Sequence, residues 1–137
     1  MQEMQDNMQE HILRNAIITP DGTYLESFHR HDYKSHQDSL TGELYMVDGG
    51  YDYVRRSVNK VPAQDLTVTT LDPFTLQRRA FTWGSYGKMQ DQEKHYIFLC
   101  DLSEEHICAI LRTQDRLKGT YVEVLLEKEL VYRKGEI

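Results

Sequence analysis

The apolar positions of the chain change their period near residue 103. Before it, short apolar runs alternate with polar residues and are punctuated by Gly, Pro, Asp and Asn, the rhythm of strands and turns. "NAII" and "TYLESF" flank Thr19-Pro20-Asp21-Gly22. Proline presets φ there, aspartate bonds back to the backbone, and glycine takes the positive φ, so the segment predicts a hairpin. A third strand is expected over His31 to His36, a turn at "SLTGE", and a fourth strand at "LYMV". Gly49-Gly50 bends the chain into a fifth strand, "YDYVRRS". Regularly spaced short strands of this kind predict an antiparallel β-meander over 14–58.

Residues 59–77 carry Pro62 and Pro73 and read as a connector with at most a short strand at "LTVTTL". "RRAFTWGSYGK" and "HYIFLCDL" predict a hairpin around the polar loop "MQDQEK". The helical period follows. Ser103 can cap a helix whose first turn holds Glu104 and Glu105, with Ile107, Ile110 and Leu111 as its apolar stripe. A second helix fits "TYVEVLLEKELVYRK". Thr120 and Glu123 have capping-box spacing, and Val122, Leu125, Leu126 and Leu130 form its inner face. Lys128, Arg133 and Lys134 lie toward its C-terminus, and Gly135 can end it. A strand at "TYVEVL" stays open, because Val122, Val124 and Leu126 also alternate. The expected fold is α+β: an N-terminal antiparallel β-meander, then a hairpin and two C-terminal helices over 78–135. It forms one domain over 12–137, preceded by a flexible or helical arm over 1–11.

Composition narrows the function classes. The chain has 137 residues, 16 Lys and Arg against 22 Asp and Glu, and a formal net charge of −6. Neither half is basic, which argues against binding along a nucleic-acid backbone. No apolar run approaches the ~20 residues of a membrane span, and the polar N-terminus resembles no targeting segment, so a cytoplasmic location is expected. Cys100 and Cys108 have no metal-ligand spacing and read as buried free thiols.

"VDGGYDYVRRS", residues 47–57, is the least ordinary stretch. Gly49 and Gly50 could present backbone N–H groups to an anion as a nest, with Arg55 and Arg56 adding charge and Tyr51 and Tyr53 flat faces. The bland reading is a glycine turn, an inward tyrosine face and an Asp52–Arg56 surface pair. Asp48, Gly49, Gly50, Tyr51, Asp52, Tyr53, Arg55 and Arg56 are therefore the candidate binding residues. Trp83 joins them as either a partner-binding anchor at a loop tip or a core residue under the helices. His29 and His31 are weak metal candidates, with Asp48 or Asp52 completing a set; the alternative is a polar solvent-facing strand. Ser27, Ser35 and Ser57 have no nucleophile-elbow context, and no phosphate-loop or dinucleotide motif is present. No catalytic residue and no cofactor is expected.

"RNAIITPDGTYLES", "HDY" and "VDGGYDYVRRS" resemble, in that order, a motif set in a family of small uncharacterised proteins from tailed bacteriophages and some bacteria. In many of those relatives the first hairpin carries a Cys-x-x-Cys-Gly knuckle, with a second cysteine pair before the Val-Asp-Gly-Gly segment, similar to a zinc ribbon. Here Thr19-Pro20-Asp21-Gly22 and "SLTGE" stand at those places, so the resemblance implies turns without zinc. "FTWGSYGK", "DLSEEHICAILRTQ" and "ELVYRK" are also similar to phage proteins. The resemblance implies a viral source and carries over no activity. With the acidic charge it points to a non-enzymatic phage accessory protein that binds a host factor, most simply a host protein. The alternatives are a sponge for a small anionic molecule such as a nucleotide signal, and a small metal-dependent hydrolase using His29, His31 and Asp48. Short sheet edges leave a homodimer open.

Overall fold

Thr19-Pro20-Asp21-Gly22 reverses the chain as its turn chemistry requires: Gly22 takes φ +90° and its N–H reaches the Thr19 carbonyl at 2.8 Å. The turn joins strands β2 (Ala16–Ile18) and β3 (Tyr24–Glu26), paired antiparallel with Ile17 opposite Leu25. A second hairpin joins β4 (Lys34–Gln37) to β5 (Leu44–Asp48) around Asp38–Glu43, where Gly42 takes φ +75°. The computed structural model describes residues 9–87, 89 and 91–135. Most of the expected N-terminal arm falls on residues 1–8, outside the described residues.

The architecture is α+β, with antiparallel strands toward the N-terminus and helices toward the C-terminus. The chain divides into two compact units, one over Glu10–Pro73 and one from Phe74 onward. The boundary lies inside the 59–77 segment, at its second proline.

In the first unit the expected meander is only partly sequential. Asn15 splits the opening strand into β1 (Ile12–Arg14) and β2. The connector supplies β8 (Val68–Thr69), the short strand expected within "LTVTTL", which pairs with β1, and in addition β7 (Gln64–Asp65), which pairs with β2. The fifth strand contracts to β6 (Arg55–Arg56), paired with the end of β5. Two three-stranded sheets result, β3-β2-β7 and β4-β5-β6, beside the β1-β8 pair. Ile17, Leu25, Tyr45 and Val47 form the buried cluster on which the two sheets close, with Ala63 packed against it. The Tyr45 hydroxyl donates to the Val61 carbonyl, tying the proline-bearing segment to the core.

The second unit begins with helix α1 (Phe74–Ala80), which starts directly after Pro73, where a missing N–H costs nothing. Arg78 and Arg79, expected in a strand, lie on this helix. The hairpin of β9 (Thr82–Ser85) and β10 (His95–Phe98) follows, Trp83 opposite Ile97. Helix α2 (Glu104–Thr113) is capped by Ser103, which accepts from the His106 N–H, and buries Ile107 and Ile110. Helix α3 (Tyr121–Arg133) is capped by Thr120, which accepts from the Glu123 N–H, so "TYVEVL" is helical. The Glu123 carboxylate reaches back to the Gly119 N–H at 3.1 Å, one residue earlier than a standard capping box. Gly135 ends this helix at φ +76°.

Candidate functional site

The Val47–Ser57 segment is built around the buried amide of Asn15. Its Nδ2 lies 2.8, 3.1 and 3.2 Å from the carbonyls of Asp48, Gly50 and Tyr53, so one side chain gathers the whole turn. Its Oδ1 accepts from Arg56 Nη2 at 2.7 Å. Ser27, also buried, accepts from the Gly50 N–H at 2.8 Å and donates to the Asp32 carbonyl at 2.6 Å. The Gly49 N–H is taken by Asp48 Oδ1 at 2.9 Å. Both glycine N–H groups that a nest would offer an anion are thus engaged internally. The glycines are needed for space: a Cβ on Gly50 would lie 2.3 to 2.6 Å from backbone atoms of His29, and one on Gly49 2.0 Å from the Tyr53 carbonyl oxygen.

The two arginines part company. Arg56 bonds Asn15, Asp65 (3.1 Å) and Thr67 (3.1 Å), and serves the fold. Arg55 has a side chain 65% exposed and touches Asp48 at 3.4 Å. Asp52 pairs with Arg30 at 3.8 Å, both exposed, in place of the expected Asp52–Arg56 pair. Tyr51 to Val54 form a turn and loop, so the inward tyrosine face of a strand is not made: Tyr51 is half-buried, Tyr53 and Val54 exposed. What faces solvent is a rim of Asp52, Tyr53, Val54 and Arg55 on a scaffold fixed from beneath.

His29 and His31 sit in a turn between β3 and β4 and are not gathered with Asp48 or Asp52 into a ligand set. Among the described residues, the side chains that converge as ligands would are Asp21, His36 and Asp38, within 4.8 Å of one another. Their oxygens are already filled. Asp21 accepts from the Thr19 and Thr23 hydroxyls, the Thr23 and Ser39 N–H groups and His36 Nε2. Asp38 accepts from the N–H groups of Asp21, Leu40 and Thr41. Each turn's aspartate thus caps the other turn, and the cluster is a hydrogen-bonded clasp holding two hairpins together.

The Ser39 N–H, the Thr23 hydroxyl and the His36 ring hold the Asp21 carboxyl well below the usual carboxylate range. Burial works to raise Asp38, but the Asp21 and Thr41 N–H groups outweigh it and leave its pKa lowered. A depressed folded-state pKa gives stability present above the unfolded value, about 3.9, and lost as pH falls through the folded one. Asp21→Asn should therefore melt earlier than the parent at pH 7, and its melting temperature should fall less between pH 5 and 2. Thermal melts followed by circular dichroism at those pH values test this; parallel acid profiles for the two proteins would contradict it.

In the second unit Trp83 is neither at a loop tip nor in the core. It is half-buried on β9, with the Arg116 guanidinium 5.9 Å from its ring centre. An open cleft of about 1190 Å³ runs between the β9–β10 hairpin and α2, lined among others by Trp83, His95, His106, Cys108, Arg112 and Arg116. Cys108 is exposed and Cys100 half-buried, so neither is the buried thiol expected from sequence. Burial pushes the Cys100 thiol up, away from nucleophile activation.

No helix among the described residues is long and apolar enough to cross a membrane. Comparison with known protein families, with curated proteins and with solved structures yields no match to this chain.

Proposed function

We propose that this is a non-catalytic accessory protein of bacteriophage origin that binds a host protein through the Asp52–Arg55 rim. The observation that carries the reading is the contrast between a turn over-determined by Asn15 and Ser27 and side chains above it that remain exposed. A rigid rim loses little freedom on binding, and tyrosine and arginine are the residues most often dominant at such surfaces. The Arg55–Asp48 and Arg30–Asp52 pairs set alternating charge around the exposed Tyr53 and Val54, suiting a partner with an apolar centre and a rim of complementary charges. Arg56 does not belong to the surface.

The test begins with capture from host lysate and continues with the purified partner. Co-elution at a fixed ratio, unaffected by chelator, is expected. Tyr53→Ala and Arg55→Ala should each weaken binding about tenfold or more while leaving the melting temperature near that of the parent. Unchanged affinity in both variants would remove the rim from the interface. Chelator-sensitive turnover of any substrate would replace the reading with a hydrolase.

A further inference from the structure

The Trp83 cleft is independent of the docking rim and has a chemistry of its own. We propose that it binds a nucleoside monophosphate, with the base clamped between Trp83 and Arg116 and the phosphate held by Arg112. The indole offers a half-buried flat face, and the exposed Arg116 lies over it from the short 3-10 helix Asp115–Leu117, which Leu117 anchors in the core. Flat groups stack at about 3.5 Å, so a base between indole and guanidinium needs a gap of ~7 Å. The guanidinium carbon now lies 5.9 Å from the ring centre, and rotation of the exposed Arg116 side chain can open the gap a base requires. Stacking of this kind accepts any base, because every base has a π-face.

The phosphate contact comes from the end of α2. Arg112 lies in its last turn, lines the cleft and forms no ion pair among the described residues. Ser85, also lining the cleft, accepts from the Gly87 N–H at 3.1 Å and keeps its own proton to donate. The opposite end of the cleft carries Glu104 and Glu105, in the first turn of α2. Eight residues of helix set Glu104 about 12 Å from Arg112. The cleft is therefore positive at one end and negative at the other. That polarity fits a small ligand with one anionic end and hydroxyl or amino donors at the other. It repels a longer nucleic-acid strand, whose next phosphate, carried on the far side of the sugar, would meet the glutamates. The volume of about 1190 Å³ admits base, sugar and phosphate together.

Trp83 is the single tryptophan of the chain, so its emission reads this cleft directly. Titration with adenosine monophosphate, excited at the red edge of the indole band, should give saturable quenching with Kd below ~1 mM. Ribose 5-phosphate and inorganic phosphate should leave the emission unchanged. Arg112→Ala and Arg116→Ala should each weaken binding about fivefold or more, with circular dichroism as in the parent. A short single-stranded oligoadenylate should bind more weakly than the monophosphate. Absence of saturable quenching with the folded parent, equal affinity in both arginine variants, or tighter and steeply salt-dependent binding of the oligonucleotide would each overturn the assignment.

Discussion

Gly50→Ala is expected to unfold the first unit or bring it close to unfolding. The added methyl would sit 2.3 Å from the carbonyl carbon of His29 and 2.5 Å from its Cα, atoms of a backbone that cannot swing aside. The His29 backbone is fixed in turn, because its carbonyl accepts from the Asp32 N–H at 2.9 Å and lies 3.4 Å from the Ser27 hydroxyl. Relief therefore requires moving the turn at Gly50, which breaks the Gly50 N–H bond to Ser27 and the Asn15 contact to the Gly50 carbonyl. Overpacking alone costs ~1–3 kcal/mol, and each lost buried hydrogen bond adds about 1 kcal/mol or more. A loss of at least about 3 kcal/mol is expected, comparable with the whole stability of a domain this small. Gly22→Ala and Gly42→Ala are the controls: both positions have positive φ, but a Cβ there meets nothing within 4 Å. They should cost only the ~1–2 kcal/mol of a left-handed alanine. Urea unfolding followed by far-ultraviolet circular dichroism separates the cases; a Gly50→Ala midpoint equal to that of Gly42→Ala would refute the steric account.

The glycine pair illustrates what could be read from the chain and what could not. That Gly49-Gly50 had to bend was legible, since the reason is local. That both N–H groups would be consumed was not, because the acceptor for Gly50, Ser27, lies 23 residues earlier. The same distance problem hides Asn15, whose partners lie 33 to 41 residues away. A polar residue at the head of the apolar "NAII" run was the available signal, and a buried amide between two strands must find partners. Turn chemistry marks both hairpins and the β-branched run "LTVTTL" marks β8, while β7 is a two-residue polar strand whose existence depends on the strand it meets. Helix α1 left almost no trace: its buried residues are Gln77 and Ala80, with Leu76 exposed, so no apolar stripe marks it. Trp83 stands out in the sequence as the single tryptophan, but its neighbour Arg116 lies 33 positions on and shares no motif with it.

The histidines teach a related lesson. His29 and His31 drew attention through their spacing, yet the histidine that is held by carboxylate is His36, 2.8 Å from Asp21. Spacing along a strand predicts shared faces only where a strand forms, and residues 29–31 form a turn. Asp21 was legible as a turn former, which is its role. Its second role, accepting the Ser39 N–H across the clasp, required knowing that two turns eighteen residues apart would meet.

Glu129 carries the largest expected loss in the second unit. It sits three and four residues after Leu126 and Leu125, on the buried side of α3, where the apolar period predicts a leucine. Its side chain has no exposure, and it is held by two cations: Arg78 of α1 through Nε at 2.8 Å and Nη2 at 2.7 Å, and Arg133 through Nε at 2.7 Å. Arg133 also bonds the Leu99 and Leu102 carbonyls at 3.1 and 2.7 Å, and Arg78 lies 4.3 Å from the Tyr132 ring centre. One carboxylate thus joins α1, α3 and the segment before α2. Burial would raise its pKa, but the two guanidinium groups outweigh this and lower it. Glu129→Gln keeps the shape and leaves two largely buried cations without their counter-charge, a change that costs about 3–5 kcal/mol when a buried pair is broken from one side. Because the folded pKa is depressed, the parent has this contribution in full above the unfolded value of about 4.3 and loses it as pH falls through the folded one. The gap in stability between parent and variant should therefore be widest at neutral pH and narrow in acid. Trp83 lies in the same unit, so urea titrations read by its emission at pH 7 and pH 3 measure both quantities. A constant gap at the two pH values, or a loss under about 1 kcal/mol at pH 7, would show that the arginines find other partners and that the network does not anchor the helices.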